Sequence, residues 1–184
     1  MYHNLETKNF IQNIDMQSVD YNYLKDCLKQ CYSECCFSTF PYFVDNLSSK
    51  ESLEKYSSGN CVTLSLCLQN ILKKNNITSY LIPATIPNMY KKPQYLDISH
   101  VALVVPLNKQ EIFILDAAFY FIEPILVNLQ TKYKTYIRSS RIYGDDISLL
   151  ECSVSLKKES VKYNQYQYWF YGFLYLSIAT ELYI

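Results

Sequence analysis

Three residues of this sequence have the types and the order that nucleophilic catalysis requires: Cys61, His100 and Asp116. Cys61 follows a glycine-containing turn at residues 58–60 and opens an apolar stretch with helical periodicity. A thiol at a helix start lies against the positive end of the helix dipole, which favours the thiolate, the form that attacks a carbonyl carbon. A histidine can hold or take the proton, and a carboxylate can orient the imidazole. The sequence therefore predicts a Cys-His-Asp triad.

The surroundings of the histidine and the aspartate support this interpretation. Of the two histidines, His3 lies near the amino terminus, whereas His100 lies in a strand-like run at residues 98–105. Asp116 interrupts a similarly apolar run at residues 111–119. A carboxylate in such a run needs a partner, because an unpaired buried charge is costly.

The two strand-like runs predict an antiparallel hairpin with its loop at residues 106–110. If Val105 pairs with Glu111, His100 lies directly opposite Asp116 on one face of the sheet, with Cβ atoms about 5 Å apart. A slip of one residue would move the two side chains to opposite faces. Each residue also has a purely structural explanation: a packed cysteine, a hydrogen-bonded core histidine, or an aspartate that caps a turn.

The elements that position these residues follow from the periodicity of the apolar residues. The central helix is predicted from Cys61 to Lys74, and a further helix over residues 20–37, with a short helix or arm at residues 1–18. Strands are predicted over residues 78–82, 98–105, 111–119, 124–129, 147–155 and 165–176. We expect an α+β fold in which N-terminal helices and the central Cys-bearing helix pack on an antiparallel β-sheet or partial barrel. Residues 1–184 form one predicted domain, with a helical part at 1–58 and the central helix plus sheet at 59–184.

The composition argues against several functions. Lysine plus arginine and aspartate plus glutamate number 17 each, without a basic block, so nucleic-acid binding has no electrostatic support. The apolar run at residues 168–179 is shorter than the roughly 20 residues that a membrane-spanning helix needs. The seven cysteines and a polar start without a secretory signal predict a cytoplasmic protein with free thiols.

Cys27, Cys31 and Cys35 share one face of the helix predicted over residues 20–37, which raises the alternative of a metal site. No histidine lies nearby and no Cys-x-x-Cys pair occurs, so we predict no metal. We interpret the three cysteines as small apolar residues on a buried face.

An oxyanion hole would need two hydrogen-bond donors. The backbone N–H of Cys61 is one predicted donor, because it lies at a helix start. Asn60, Tyr56 and the aromatic connector at residues 40–46 are the candidates for the second.

The arrangement resembles the papain-like/transglutaminase-like superfamily of cysteine enzymes, and within it the arylamine N-acetyltransferases. Their pattern is a glycine-containing turn before the cysteine, then a Thr-His strand, then a Val-Asp-Val-Gly-Phe strand followed by proline. This chain has Gly59-Asn60-Cys61, Ser99-His100 and Leu115-Asp116-Ala117-Ala118-Phe119, with Pro124 after them. Residues 40–47 also resemble the family's Pro-Phe-Glu-Asn-Leu segment, and the resemblance covers about residues 20–130.

The chain departs from the family pattern beside the cysteine and after the aspartate. Ser57-Ser58-Gly59-Asn60 stands where the family has Arg-Gly-Gly, Val62-Thr63 replaces Phe-Glu, and Ala118 replaces a glycine. We also expect the C-terminal lid region, which helps to hold coenzyme A in that family, to be reduced or missing.

The resemblance implies an acyltransferase that carries an acyl group from acetyl-CoA or another acyl-CoA to an amine through a thioester on Cys61. His100 would activate the thiol and move the acceptor proton, Asp116 would fix the imidazole tautomer, and the acceptor would be a small aromatic amine or hydrazine. One alternative is a thiol hydrolase, a peptidase or deamidase, which acts on a peptide or a protein glutamine. A second alternative is a catalytically silent binding module on the same fold.

Overall fold

The structure is a computed structural model that describes residues 17–84, 93, 99–119 and 121–128, and the backbone of three further strands. The helices are α1 (Tyr21–Glu34), α2 (Phe40–Val44), α3 (Ser49–Tyr56) and α4 (Cys61–Lys74). The strands are β1 (Cys36–Phe37), β2 (Ser58–Gly59), β3 (Tyr80–Ala84), β4 (His100–Pro106), β5 (Glu111–Leu115), β6 (Ile125–Asn128), β7 (Tyr133–Ser140), β8 (Ile147–Tyr163) and β9 (Tyr166–Glu181). The part of the predicted N-terminal helix or arm at residues 1–16 lies outside the described residues.

Seven of these strands form one sheet in the order β6-β5-β4-β3-β9-β8-β7. The paired neighbours are antiparallel, except that β3 and β9 pair in parallel through Ala84 and Phe173. The strands β1 and β2 form a separate parallel pair, which links the end of α1 to the turn before α4. Helices combined with a largely antiparallel sheet confirm the predicted α+β class. The division of the chain at residue 58 stays a prediction.

The central helix α4 has the bounds that the sequence predicted, because its first residue is capped. The side-chain Oδ1 of Asn60 accepts hydrogen bonds from the backbone N–H groups of Val62 and Thr63, at 3.0 and 3.3 Å. These groups have no partner inside the helix, so the cap fixes where it begins. The predicted apolar stripe of the helix is buried: Leu64, Leu68, Ile71 and Leu72.

The sheet carries an apolar cluster on each face. The helices α1 and α4 pack in one cluster with Leu103 and Val105 of β4, while Ala102 and Val104 belong to the other. Successive side chains of a strand point to opposite faces, which explains the division. By the same alternation, His100 lies on the face of Ala102 and Val104.

The observed register of β4 and β5 shows that the predicted pairing of the two strands was wrong. Val105 pairs with Phe113 instead of Glu111, so His100 does not lie directly opposite Asp116. The backbone N–H groups of Leu107 and Asn108 both donate to the carbonyl of Glu111, at 3.0 and 3.2 Å, and tighten the loop. Because the shift is even, the two side chains keep the common face that the sequence predicted.

Other boundaries also differ from the predictions. Helix α1 ends at Glu34 because Cys35 is extended, with φ −143° and ψ 130°. The helix α3 begins with a capping box formed by Ser48 and Glu51. The last two strands continue beyond their predicted ends, because long pairing with each other sustains them.

Candidate active site

The three predicted residues meet where α4 and β4 begin and β5 ends. The Nε2–H of His100 donates a hydrogen bond to Oδ2 of Asp116 at 2.6 Å. Both side chains are buried, with 6% and 1% of their surface exposed. The side chain of Cys61, which is half-buried, lies beside the same imidazole ring and interacts with it electrostatically. The structure therefore brings together the thiol, the imidazole and the carboxylate.

Asp116 has two functions in this geometry. Its Oδ1 accepts hydrogen bonds from the backbone N–H groups of Ala118 and Phe119, both at 3.1 Å, and its carbonyl accepts one from Phe121 at 3.2 Å. This turn ends β5 at Leu115, four residues earlier than the periodicity predicts. The turn-capping explanation and the histidine-partner explanation of Asp116 therefore both hold, each through a different carboxylate oxygen.

The environment of His100 favours its charged form. Burial of the ring lowers its pKa, but the Asp116 carboxylate raises it by charge and hydrogen bonding, and Cys61 acts in the same direction. The net pKa is raised from 6.5 to about 10. The ring of Phe119 covers the imidazole, with 4.5 Å between ring centroids. The imidazole is thus held as a cation at neutral pH, between a carboxylate and a sulfur atom.

A polar network supports the turn that precedes Cys61. The hydroxyl oxygen of Tyr42 accepts a hydrogen bond from the backbone N–H of Asn60 at 3.1 Å and lies 2.6 Å from Oγ1 of Thr63. Thr63 in turn donates to the carbonyl of Ser49 at 3.1 Å. A Cβ atom on Gly59 would lie 2.6 Å from the Tyr42 hydroxyl and 2.1 Å from Oγ1 of Thr63, so only glycine fits.

Sequence reasoning missed this network. Tyr42 lies in the connector at residues 40–46, for which the sequence predicted only a possible oxyanion donor. Thr63 was predicted only as a residue of the central helix. The contact of Tyr42 with Thr63 joins α2 to the start of α4, two elements that are distant in the sequence. The only sequence signal for it was the position of Tyr42 beside Pro41, a proline at the start of a helix.

Two of the candidate donors for the oxyanion hole already donate hydrogen bonds to other groups. The backbone N–H of Asn60 donates to Tyr42, and the hydroxyl of Tyr56 donates to the carboxylate of Asp45. Among the described residues, no hydrogen bond engages the backbone N–H of Cys61. This N–H therefore stays the predicted donor for an oxyanion formed at the thiol.

The alternative of a metal site at Cys27, Cys31 and Cys35 gains no support from the described residues. There, no group of three or more histidine, cysteine, aspartate or glutamate side chains is arranged to hold a metal ion. Cys27, Cys31 and Cys35 are instead buried, at 3%, 0% and 4% exposure, as the packing interpretation requires.

Comparison with known proteins places the fold. The sequence matches no protein-family model and no curated protein. The structure is similar to an arylamine N-acetyltransferase from Bacillus cereus, described as having a unique Cys-His-Glu catalytic triad, with 13% identity and a TM-score of 0.50. The chain has an arylamine N-acetyltransferase-like fold. Arylamine N-acetyltransferase C from Bacillus anthracis is also similar, with 17% identity and a TM-score of 0.49. Each comparison covers 97% of this chain and 72% of the other.

In this arylamine N-acetyltransferase-like fold, the cysteine begins the central helix and the histidine begins a strand of the sheet. Among the helices of the described residues, none has the length and apolar character to cross a membrane.

Proposed function

We propose that the protein is a cysteine-dependent acyltransferase that forms an acyl thioester on Cys61 and transfers the acyl group to an amine. The observation that carries this proposal is the position of the His100 ring, hydrogen-bonded to Asp116 at 2.6 Å and in contact with the Cys61 side chain. The acyl donor is acetyl-CoA or another acyl-CoA, and the acceptor is a small aromatic amine or hydrazine. The fold and the order of the three residues support this choice, and the same order supports a papain-like/transglutaminase-like core.

The first half of the reaction acylates the enzyme. The charged imidazole of His100 stabilises the Cys61 thiolate, which attacks the carbonyl carbon of the acyl donor. The backbone N–H of Cys61 stabilises the oxyanion that develops. As the carbon–sulfur bond to coenzyme A breaks, Nδ1–H of His100 protonates the leaving thiolate, and the acyl group remains on Cys61 as a thioester.

The second half transfers the acyl group. The amine attacks the thioester carbonyl, and the neutral imidazole of His100 takes the proton that the amine loses. The carbon–sulfur bond to Cys61 breaks, and the Cys61 thiolate is restored beside the imidazolium. Asp116 keeps Nε2 of His100 engaged throughout, so that Nδ1 faces the reacting atoms.

The exposure of the three residues suits an acyl donor. Cys61 is half-buried and therefore reachable, whereas His100 and Asp116 are almost fully enclosed. A buried imidazole–carboxylate pair is screened less by water than an exposed one, so its effect on the sulfur is stronger.

The proposal is tested by incubation of the protein with acetyl-CoA, followed by intact-mass measurement. We expect a gain of one acetyl group, its loss in Cys61→Ala, and its retention in Cys36→Ala, which removes an exposed cysteine outside the triad. Addition of an arylamine should then remove the acetyl group and yield the amide.

Two results would favour the alternatives instead. Rapid alkylation of Cys61 by iodoacetamide without acetylation by acetyl-CoA would favour a thiol hydrolase. No observation on the described part of the fold favours a hydrolase specifically. Slow alkylation together with no acetylation would favour a silent binding module.

A further inference from the structure

Three cysteine side chains meet between α1 and α4, outside the triad. Cys31 and Cys35 come from the last turn and the end of α1, and Cys67 comes from the second turn of α4. The side chains of Cys31 and Cys35 both lie close enough to Cys67 to interact with it electrostatically. All three belong to one buried cluster, and all three are free thiols.

A cleft in the described part of the chain borders one member of this cluster. Cys67 lines a cleft of about 660 Å³ together with Glu34, Asn70, Lys73 and Lys74, whereas Cys31 and Cys35 do not line it. Two lysines at its wall make the cleft locally cationic. A small reagent that enters it meets the Cys67 sulfur first.

The neighbouring thiols of the cluster lower the pKa of the Cys67 thiol. Hydrogen bonds from Cys31 and Cys35 lower the pKa of the Cys67 thiol, burial raises it, and Lys74 lowers it further, with a net decrease. The hydrogen bond with Cys67, followed by burial, raises the pKa of Cys31 and of Cys35. Of the three thiols, Cys67 is therefore the one whose pKa is lowered, so it is the first to ionise.

From this cluster and its cleft we propose that Cys67 is a peroxide-reactive thiol and that Cys35 is its resolving partner. The Cys67 thiolate attacks one oxygen of a hydroperoxide, the oxygen–oxygen bond breaks, and hydroxide or alkoxide leaves. The sulfur is oxidised to a sulfenic acid while the peroxide is reduced. The Cys35 thiol then attacks the sulfenyl sulfur, the sulfur–oxygen bond breaks, and water leaves with the Cys35 proton as the disulfide forms.

The choice of Cys35 over Cys31 follows from their positions. Cys31 lies inside α1, and its Sγ donates a hydrogen bond to the carbonyl of Leu64 at 3.6 Å. Cys35 lies just after the helix in an extended conformation, so its side chain can shift without breaking the helix. The reaction does not use Cys61 and is independent of the acyl-transfer proposal.

The experiment uses the full chain with Cys61→Ser and Cys36→Ser, which leaves Cys67 and Cys35 as the only cysteines of their proteolytic fragments. The protein is treated with hydrogen peroxide, alkylated and digested with trypsin and a glutamate-specific protease, which separates Cys31 from Cys35 at Glu34. We expect a disulfide between fragments 35–50 and 56–73, loss of two hydrogens in the intact mass, and no change in either result on Cys27→Ala.

Addition of Cys35→Ala to the same background should abolish this disulfide and leave a sulfenic acid on Cys67 that dimedone traps. Cys67 that stays reduced at peroxide levels that oxidise the chain elsewhere would overturn the proposal. A disulfide from Cys67 to fragment 30–34 would overturn the assignment of Cys35. Because the starting background has the native cluster and lacks the triad nucleophile, neither result depends on acyl transfer.

Discussion

His100 and Asp116 lie on one face of the sheet, two residues away from direct cross-strand opposition, and a 2.6 Å hydrogen bond from Nε2 to Oδ2 joins them diagonally. A diagonal pair lies farther apart at Cβ than a direct pair, at about 7–8 Å, and the long imidazole spans this distance. The offset leaves Oδ1 of Asp116 available to the turn that follows the strand. One carboxylate thus fixes both the backbone turn and the imidazole of His100.

Asp116→Asn is expected to slow acyl transfer by about 10³–10⁴-fold, because an amide can hold the imidazole in the wrong tautomer. The amide oxygen can still accept the turn hydrogen bonds, so the fold should persist. Steady-state rates with acetyl-CoA and an arylamine measure the first effect, and circular dichroism measures the second. A rate within a factor of a few of the parent, with the fold intact, would remove Asp116 from the mechanism.

The raised pKa of His100 predicts how stability depends on pH. The folded-state pKa, about 10, lies above the unfolded value of 6.5, so the stabilisation is fully present below about pH 6.5 and is lost as pH rises through 10. Between these values the unfolding free energy of the parent should fall by up to about 1.4 kcal/mol per pH unit more than that of His100→Asn/Asp116→Asn. Urea unfolding at a series of pH values measures both. The many tyrosines are common to the two proteins, so they do not contribute to the difference between the two curves of unfolding free energy against pH. Parallel curves would contradict the assignment of the raised pKa to His100.

Gly59→Ala is expected to destabilise the protein by about 1–3 kcal/mol, because the added Cβ overlaps Thr63 and the Tyr42 hydroxyl. The backbone must shift to relieve the overlap, and the shift carries Cys61 away from His100. Urea unfolding and the alkylation rate of Cys61 measure the two consequences. Ser58→Ala, at the adjacent buried position, is the matched control and should change neither.

Tyr42→Phe is expected to cost about 1–3 kcal/mol, since it leaves the Asn60 N–H without its acceptor. It should also lower the rate of Cys61 acylation, because this hydroxyl holds the turn that precedes the nucleophile. Tyr56→Phe removes a hydroxyl on the exposed surface and serves as control. Equal effects of the two substitutions on acylation would show that Tyr42 does not position Cys61.

The sequence predicted the central helix, and the proximity of Cys61, His100 and Asp116, because the signals for both are local. The glycine-containing turn at residues 58–60, the apolar stripe that follows it and a carboxylate inside an apolar run can each be recognised within a few residues. The register was wrong because it depends on how tightly the chain turns at Leu107 and Asn108. An error of two residues preserves the alternation of faces, which explains why the common face of His100 and Asp116 was predicted correctly.

Contacts between distant elements could not be predicted in the same way. The helical spacing placed Cys31 and Cys35 on one face, but nothing in it shows that Cys67 of another helix joins them. The same is true of Tyr42, whose role depends on how α2 packs against the start of α4.

The proposed acyl transfer requires that His100 activates the Cys61 sulfur. Site-resolved alkylation by iodoacetamide at pH 6 tests it within one molecule, because Cys36 is an exposed cysteine that has no histidine partner among the described residues. An ordinary thiol is almost wholly protonated at this pH, so Cys61 should react at least about tenfold faster than Cys36. The difference should disappear in His100→Asn. Equal rates at Cys61 and Cys36 in the parent protein would contradict the triad.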